Sequence, residues 1–149
     1  MGERKFLIFM DLKNKIVVIT GASSGLGREL ARVFSKEGSK LVLGSRTQEE
    51  LEVVAKEVGA ISVVVDVKNE DQVKTLAKTA LDKFGRIDVW VNNAGIRIPL
   101  ATLEEMDMKR AHEMMEVNLF GTMYGAKAAL GQMRKQKSGT IVNLSLIHI

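Results

Sequence analysis

Ile16-Val17-Val18-Ile19-Thr20-Gly21-Ala22-Ser23-Ser24-Gly25-Leu26-Gly27 decides how the rest of the chain is read. Four β-branched residues in succession, with turn residues behind them, read as a buried strand. From Leu26 onward Leu26, Leu30, Val33 and Phe34 recur at helical spacing, and Gly38 stands where that helix ends. Between strand and helix the glycines permit a tight turn and bring backbone N–H groups close to a ligand. The helix that follows points its positive end at the same place, which suits a phosphate. No Gly-Lys-Ser/Thr follows, so the loop is not a P-loop.

Outward from this unit the two periods keep alternating. Leu41-Val42-Leu43 reads as a second strand, residues 47–58 as a second helix, and Ile61 to Val65 as a third strand. Val73, Leu76, Ala77, Ala80, Leu81 and Phe84 mark an amphipathic helix that Gly85 closes. Ile87 to Val91 is a fourth strand. A loop with the single proline, Pro99, leads to a long helix expected from about Glu104 to Lys135, and Thr140 to Leu144 begins a fifth strand. Buried strands alternating with helices imply an α/β fold: a doubly wound parallel sheet of the Rossmann type, interrupted within its fifth strand. There is no internal repeat, low-complexity tract or linker, so one domain is expected over residues 13–149, with residues 1–12 as an N-terminal extension.

Composition narrows the function classes. The 149 residues are 46% hydrophobic and 27% charged, as in an ordinary globular protein. The net charge of +4 comes from Lys and Arg spread among Asp and Glu, which reads as a solvated surface and argues against nucleic-acid binding. Phe6-Leu7-Ile8-Phe9-Met10 is too short for a signal peptide and far below the roughly 20 apolar residues of a membrane span. No cysteine is present, so disulfides, a thiol nucleophile and a Cys-based zinc site are excluded; a reducing, cytoplasmic location is expected. His112 reads as a helix-surface residue, neither histidine sits in a ligand cluster, and no metal is expected.

The spacing Thr-Gly-x-x-x-Gly-x-Gly at residues 20–27 resembles that of the short-chain dehydrogenases/reductases. Three further signatures follow in family order: Asp66-Val67 ending the third strand, Asn92-Asn93-Ala94-Gly95 ending the fourth, and Asn118 in Val117-Asn118-Leu119-Phe120-Gly121. The resemblance covers about Lys13 to Asn143, the front half or so of a family member. It implies dinucleotide binding by Gly21, Ser23, Ser24, Gly25, Leu26, Gly27, Asn93, Ala94 and Gly95, with Asp66 and Val67 on the adenine. It also implies a catalytic part for Asn118, a poor helix former, as a kink that holds a water in a proton relay. The full-length form is expected to be a homodimer or homotetramer and to act on a small molecule with a carbonyl or hydroxyl group.

Cofactor choice is set after the second strand, where a carboxylate bonds the ribose of NAD and an Arg accommodates the 2′-phosphate of NADP. Leu43-Gly44-Ser45-Arg46-Thr47 puts no acid at Ser45 and a planar cationic fork at Arg46. NADP(H) is therefore expected, with NAD(H) second.

Family members also carry a Ser and a Tyr-x-x-x-Lys as the proton-transfer apparatus. The single tyrosine, Tyr124, is followed by Ala128 where that Lys would stand, and is expected to be a packing residue. Ser145 matches the non-catalytic first serine of the family's Ser-Ser, since Leu146 takes the second place. Residues 144–149 equal a translation of CTG TCT CTT ATA CAC ATC, which resembles a transposase end used in sequencing libraries. A non-native tail is expected there, and a chain inactive as it stands. The fifth strand is then an open edge and apolar helix faces lie bare, so a marginal or aggregation-prone fragment is expected. The alternative is a non-catalytic dinucleotide-binding sensor or interaction module. The epimerase and dehydratase branch, with Gly-x-x-Gly-x-x-Gly, is disfavoured by the spacing of Gly21, Gly25 and Gly27.

Overall fold

The computed structural model describes residues 11–145, so residues 1–10 of the expected extension and residues 146–149 of the expected tail lie outside the described residues. Five strands run in the order β1 (Ile16–Thr20), β2 (Lys40–Ser45), β3 (Ile61–Val64), β4 (Val89–Asn92) and β5 (Thr140–Asn143). They pair as β3-β2-β1-β4-β5, every pair parallel. Helices α1 (Gly25–Lys36), α2 (Gln48–Val58), α3 (Glu70–Phe84), α4 (Met108–Met115) and α5 (Gly121–Gln136) fill the crossovers.

Side-chain alternation divides the core into two layers. Val17, Ile19, Leu41, Leu43, Val89 and Val91 face α1 and α2, where Ala31, Leu51 and Val54 meet them. Ile16, Val18, Val42 and Trp90 face the other way, against Val73, Leu76, Ala77 and Ala80 of α3 and Ala129 and Met133 of α5. Strands buried on both faces explain the continuous apolar runs of the sequence. Tyr124 packs, partly buried, against the second layer, as expected of a packing residue. Among the described residues no helix is long and apolar enough to cross a membrane.

One element departs from the expectation. The long helix does not start at Glu104: α4 begins at Met108, because the Asp107 carboxylate caps the N–H groups of Lys109 and Arg110 at 3.0 and 3.3 Å. Nor is it continuous, for a π-helical turn over Glu116–Phe120 separates α4 from α5. That wide turn carries Asn118, and such turns mark functional sites more often than plain helix.

Candidate functional site

A groove of about 850 Å³ opens at the carboxyl ends of the strands, the place where open α/β sheets take ligands. Its floor is made by the β1–α1 turn and its walls by the segments after β2, β3 and β4.

Thr20 ends β1 and is buried. Its hydroxyl oxygen accepts the N–H groups of Asn93 and Ala94, both at 3.1 Å, and donates to the Val91 carbonyl at 3.4 Å. The Asn93 side-chain amide donates back to the carbonyls of Thr20 and Gly21 at 3.0 Å. The β1 and β4 exits are thus cross-linked by five hydrogen bonds, counting those from and to Thr20 and Asn93. Two glycines make this possible. Gly21 has φ +67°, and a Cβ there would come 2.8 Å from the Ala94 Cα. A Cβ at Gly27 would lie 2.9 Å from the Gly21 carbonyl carbon and closer still to its oxygen.

At the mouth of α1, Ser24 is extended and makes no side-chain cap bond, which leaves the first-turn N–H groups open towards the groove. Ser23 is buried, and its hydroxyl is bonded to that of Ser45 at 2.8 Å. The Ser45 side chain is therefore turned onto the glycine loop. Arg46 and Thr47 are exposed on the rim, and among the described residues the Arg46 guanidinium has no hydrogen bond or ion pair.

Asp66 stands two residues past the end of β3 rather than at its last position. One of its carboxylate oxygens accepts the Lys68 N–H at 3.0 Å, and its own N–H donates to Gln72 at 2.8 Å. Lys68 Nζ lies 3.8 Å from the other oxygen and 3.3 Å from Glu113 of α4. Asn118 closes the far end. Its amide oxygen accepts the Ile96 N–H at 2.8 Å, and its amide nitrogen donates to the Ile96 carbonyl at 2.7 Å.

The structure brings Gly21, Ser23, Ser24, Leu26, Gly27, Arg46, Asp66, Val67, Asn93, Ala94, Gly95 and Asn118 to the groove lining, although they come from five separate segments. Gly25 does not line it. With φ +51° it forms the turn instead. Glu50 and Thr122 also line the groove and were not singled out from the sequence, and Ile96 lines it at the start of the 96–103 stretch that reads as edging the pocket. Glu50 lies in the first turn of α2, where an acidic residue reads simply as a complement to the helix dipole. Met114 and Met115, which along the long helix read from the sequence as core and subunit-contact residues, line the groove as well. Among the described residues no three His, Asp or Glu converge as a metal site.

Residues 15–148 match the short chain dehydrogenase family. The chain belongs to that family. Among the family's curated members it is 46% identical over 140 residues to an uncharacterized oxidoreductase of Staphylococcus saprophyticus, covering 92% of this chain and 56% of the relative. It is 37% identical over 148 residues to glucose 1-dehydrogenase 2 of Bacillus subtilis, covering 95% and 57%. Two solved structures superpose well. One, a short-chain type dehydrogenase/reductase from Mycobacterium marinum, gives a TM-score of 0.82 at 31% identity, over 88% of this chain and 55% of that one. The other, an alcohol dehydrogenase from the archaeon Thermococcus sibiricus complexed with 5-hydroxy-NADP, gives 0.80 at 36% identity, over 86% and 57%. The chain spans a little over half the length of these relatives.

Proposed function

We propose that this chain is the cofactor-binding part of an oxidoreductase that moves hydride between NADP(H) and a carbonyl or secondary alcohol. The observation that carries this reading is the groove at the strand ends, where an uncapped helix terminus, the glycine turn and an unpaired Arg46 face one cavity. That donor set fits a dinucleotide. The open N–H groups of α1, with Ser23, Ser24, Leu26 and Gly27, take the pyrophosphate, as helix N-termini do, and Gly25 makes the turn that presents them. Arg46 takes a 2′-phosphate, while Ser45, held by Ser23, offers no carboxylate to the ribose of NAD(H). The Asp66 carboxylate and the Val67 backbone hold the adenine. Asn93, Ala94 and Gly95, fixed by Thr20, support the ribose beside the nicotinamide. Bound there, the nicotinamide supplies or accepts the hydride.

Asn118 spends one N–H and one lone pair on Ile96, which leaves its second N–H and second lone pair for a water in the proton relay. The general acid is a different matter. Tyr124 packs, partly buried, against the core and has Ala128 four residues on, so it is a packing residue and not that acid. That same fact is what favours the second reading, a non-catalytic dinucleotide binder. Calorimetric titration with NADPH and with NADH, on the wild type and on Arg46→Ala, tests the proposal. Tighter NADPH binding that Arg46→Ala abolishes supports it; tighter NADH binding refutes the NADP(H) assignment.

A further inference from the structure

The lower wall of the groove contains a buried polar network that the binding roles above do not use. Trp90, the single tryptophan, lies fully buried in β4. Its indole N–H donates to the Asn92 side-chain oxygen at 2.8 Å. An indole nitrogen can only donate, so it fixes which end of the Asn92 amide faces which partner. The amide nitrogen must then point at the Thr122 carbonyl and at the Asn143 side-chain oxygen, 3.2 and 2.8 Å away. Asn92 is itself 4% exposed.

Thr122 carries the network onward. It sits in the first turn of α5, directly after the π-helical turn, and its hydroxyl donates to the Asn118 carbonyl at 2.8 Å. Asn118 in turn grips both backbone groups of Ile96. A continuous chain of hydrogen bonds therefore runs from the core of the sheet to the wide turn and on to the loop that edges the groove. Close approach makes it rigid: a Cβ at Gly125 would lie 2.6 Å from the Trp90 indole nitrogen and still nearer the Asn92 oxygen. Only a residue without a side chain lets α5 press onto this pair.

We propose that Trp90, Asn92 and Thr122 are positioning residues that set the place of Asn118 in the groove. The wide turn is clamped just past its exit to the end of β4 and at its middle, through Asn118, to Ile96, so the Asn118 amide is held in one orientation before any ligand binds. The proposal takes from the preceding reading only that Asn118 serves the reaction, and its test needs no turnover.

The test is the exchange rate of the Ile96 backbone N–H, read by NMR, because that proton is held by the Asn118 side chain. Trp90→Phe removes the donor that orients Asn92. Thr122→Val removes the hydroxyl at nearly constant shape on a half-buried site and leaves the core intact, and Thr122→Ser restores it. Loss of one net hydrogen bond corresponds to roughly a tenfold change in a local equilibrium. The Ile96 proton should exchange roughly tenfold faster in Trp90→Phe and Thr122→Val and at the wild-type rate in Thr122→Ser. The Val18 N–H, in the middle of the sheet, should stay unchanged in all three. Unchanged Ile96 exchange in either of the first two variants overturns the proposal, as does a rise shared equally by Val18. NADPH titration of the wild type separates the two claims, since failure to bind would defeat the cofactor reading and leave the exchange result standing.

Discussion

Gly27→Ala is the sharpest perturbation of the groove, because the same substitution elsewhere in the chain should do the opposite. Gly27 is the third residue of α1, and its missing side chain is the space in which the Gly21 carbonyl and the Asn93 amide lie. The Gly21 carbonyl cannot move aside freely, since Asn93 Nδ2 holds it at 3.0 Å. Forcing a methyl group into such a site costs about 1–3 kcal/mol, against a helix-propensity gain of at most about 1 kcal/mol. Because the clash is with a held backbone carbonyl the upper end applies, and the net effect is about 2 kcal/mol of lost stability, a fall in Tm of several degrees for a chain of this size. Dinucleotide affinity should fall further, by at least about tenfold, because the displaced carbonyl and amide border the phosphate site. Gly131 supplies the control: it lies within α5, and a Cβ there meets nothing within 4 Å. Gly131→Ala should raise stability by up to about 1 kcal/mol and leave binding unchanged. Thermal melts and NADPH titrations of both variants decide the matter. A Gly27→Ala protein that melts and binds like the wild type would refute the packing argument.

Three other outcomes follow from the same contacts. Asn93→Ala deletes the amide that joins the two strand exits, so a urea titration should show a loss of about 1–3 kcal/mol; an unchanged midpoint would mean the cross-link carries no weight. Burial alone would raise the Asp88 carboxyl, but the Arg86 guanidinium and the Ile16 N–H outweigh it and hold the carboxyl below its ordinary value. A lowered folded value gives stability that is complete above the unfolded carboxylate range, near about 4, and is lost as pH falls through the folded value. Asp88→Asn should therefore be less stable than the wild type at neutral pH, and the gap should narrow on acidification; a gap independent of pH would contradict this. Gly121→Ala should also destabilise, since a Cβ there would come 2.8 Å from Val67 Cγ2, and a differential scanning measurement showing no loss would refute that contact.

Much of this was legible in the sequence, for physical reasons that can be named. The β-branched run Ile16–Ile19 and the glycines behind it carry their own conformational instructions, and the fivefold alternation of periods leaves few topologies other than a parallel sheet. Asn118 was visible as a poor helix former inside a helical pattern. What the pattern could not give was the π-helical turn at Glu116–Phe120, because one extra residue per turn barely disturbs apolar spacing over so short a span. The start of α4 was misplaced because Glu104 and Glu105 suit a first turn as well as Asp107 suits a cap. The bonds from Thr20 to Asn93 and from Trp90 to Asn92 were out of reach for different reasons. The first joins residues 73 apart. The second depends on a helix glycine, Gly125, whose purpose shows only when α5 lies on β4.

The central claim is that segments scattered along the chain form one dinucleotide groove, and backbone NMR shifts during NADPH titration test it most directly. The account predicts that the amides of Gly21, Gly27, Arg46, Asp66, Asn93 and Gly95 move together along a single saturating curve, with those of the α3 surface still. Shifts absent at saturating NADPH, or clustered away from the strand ends, would contradict it.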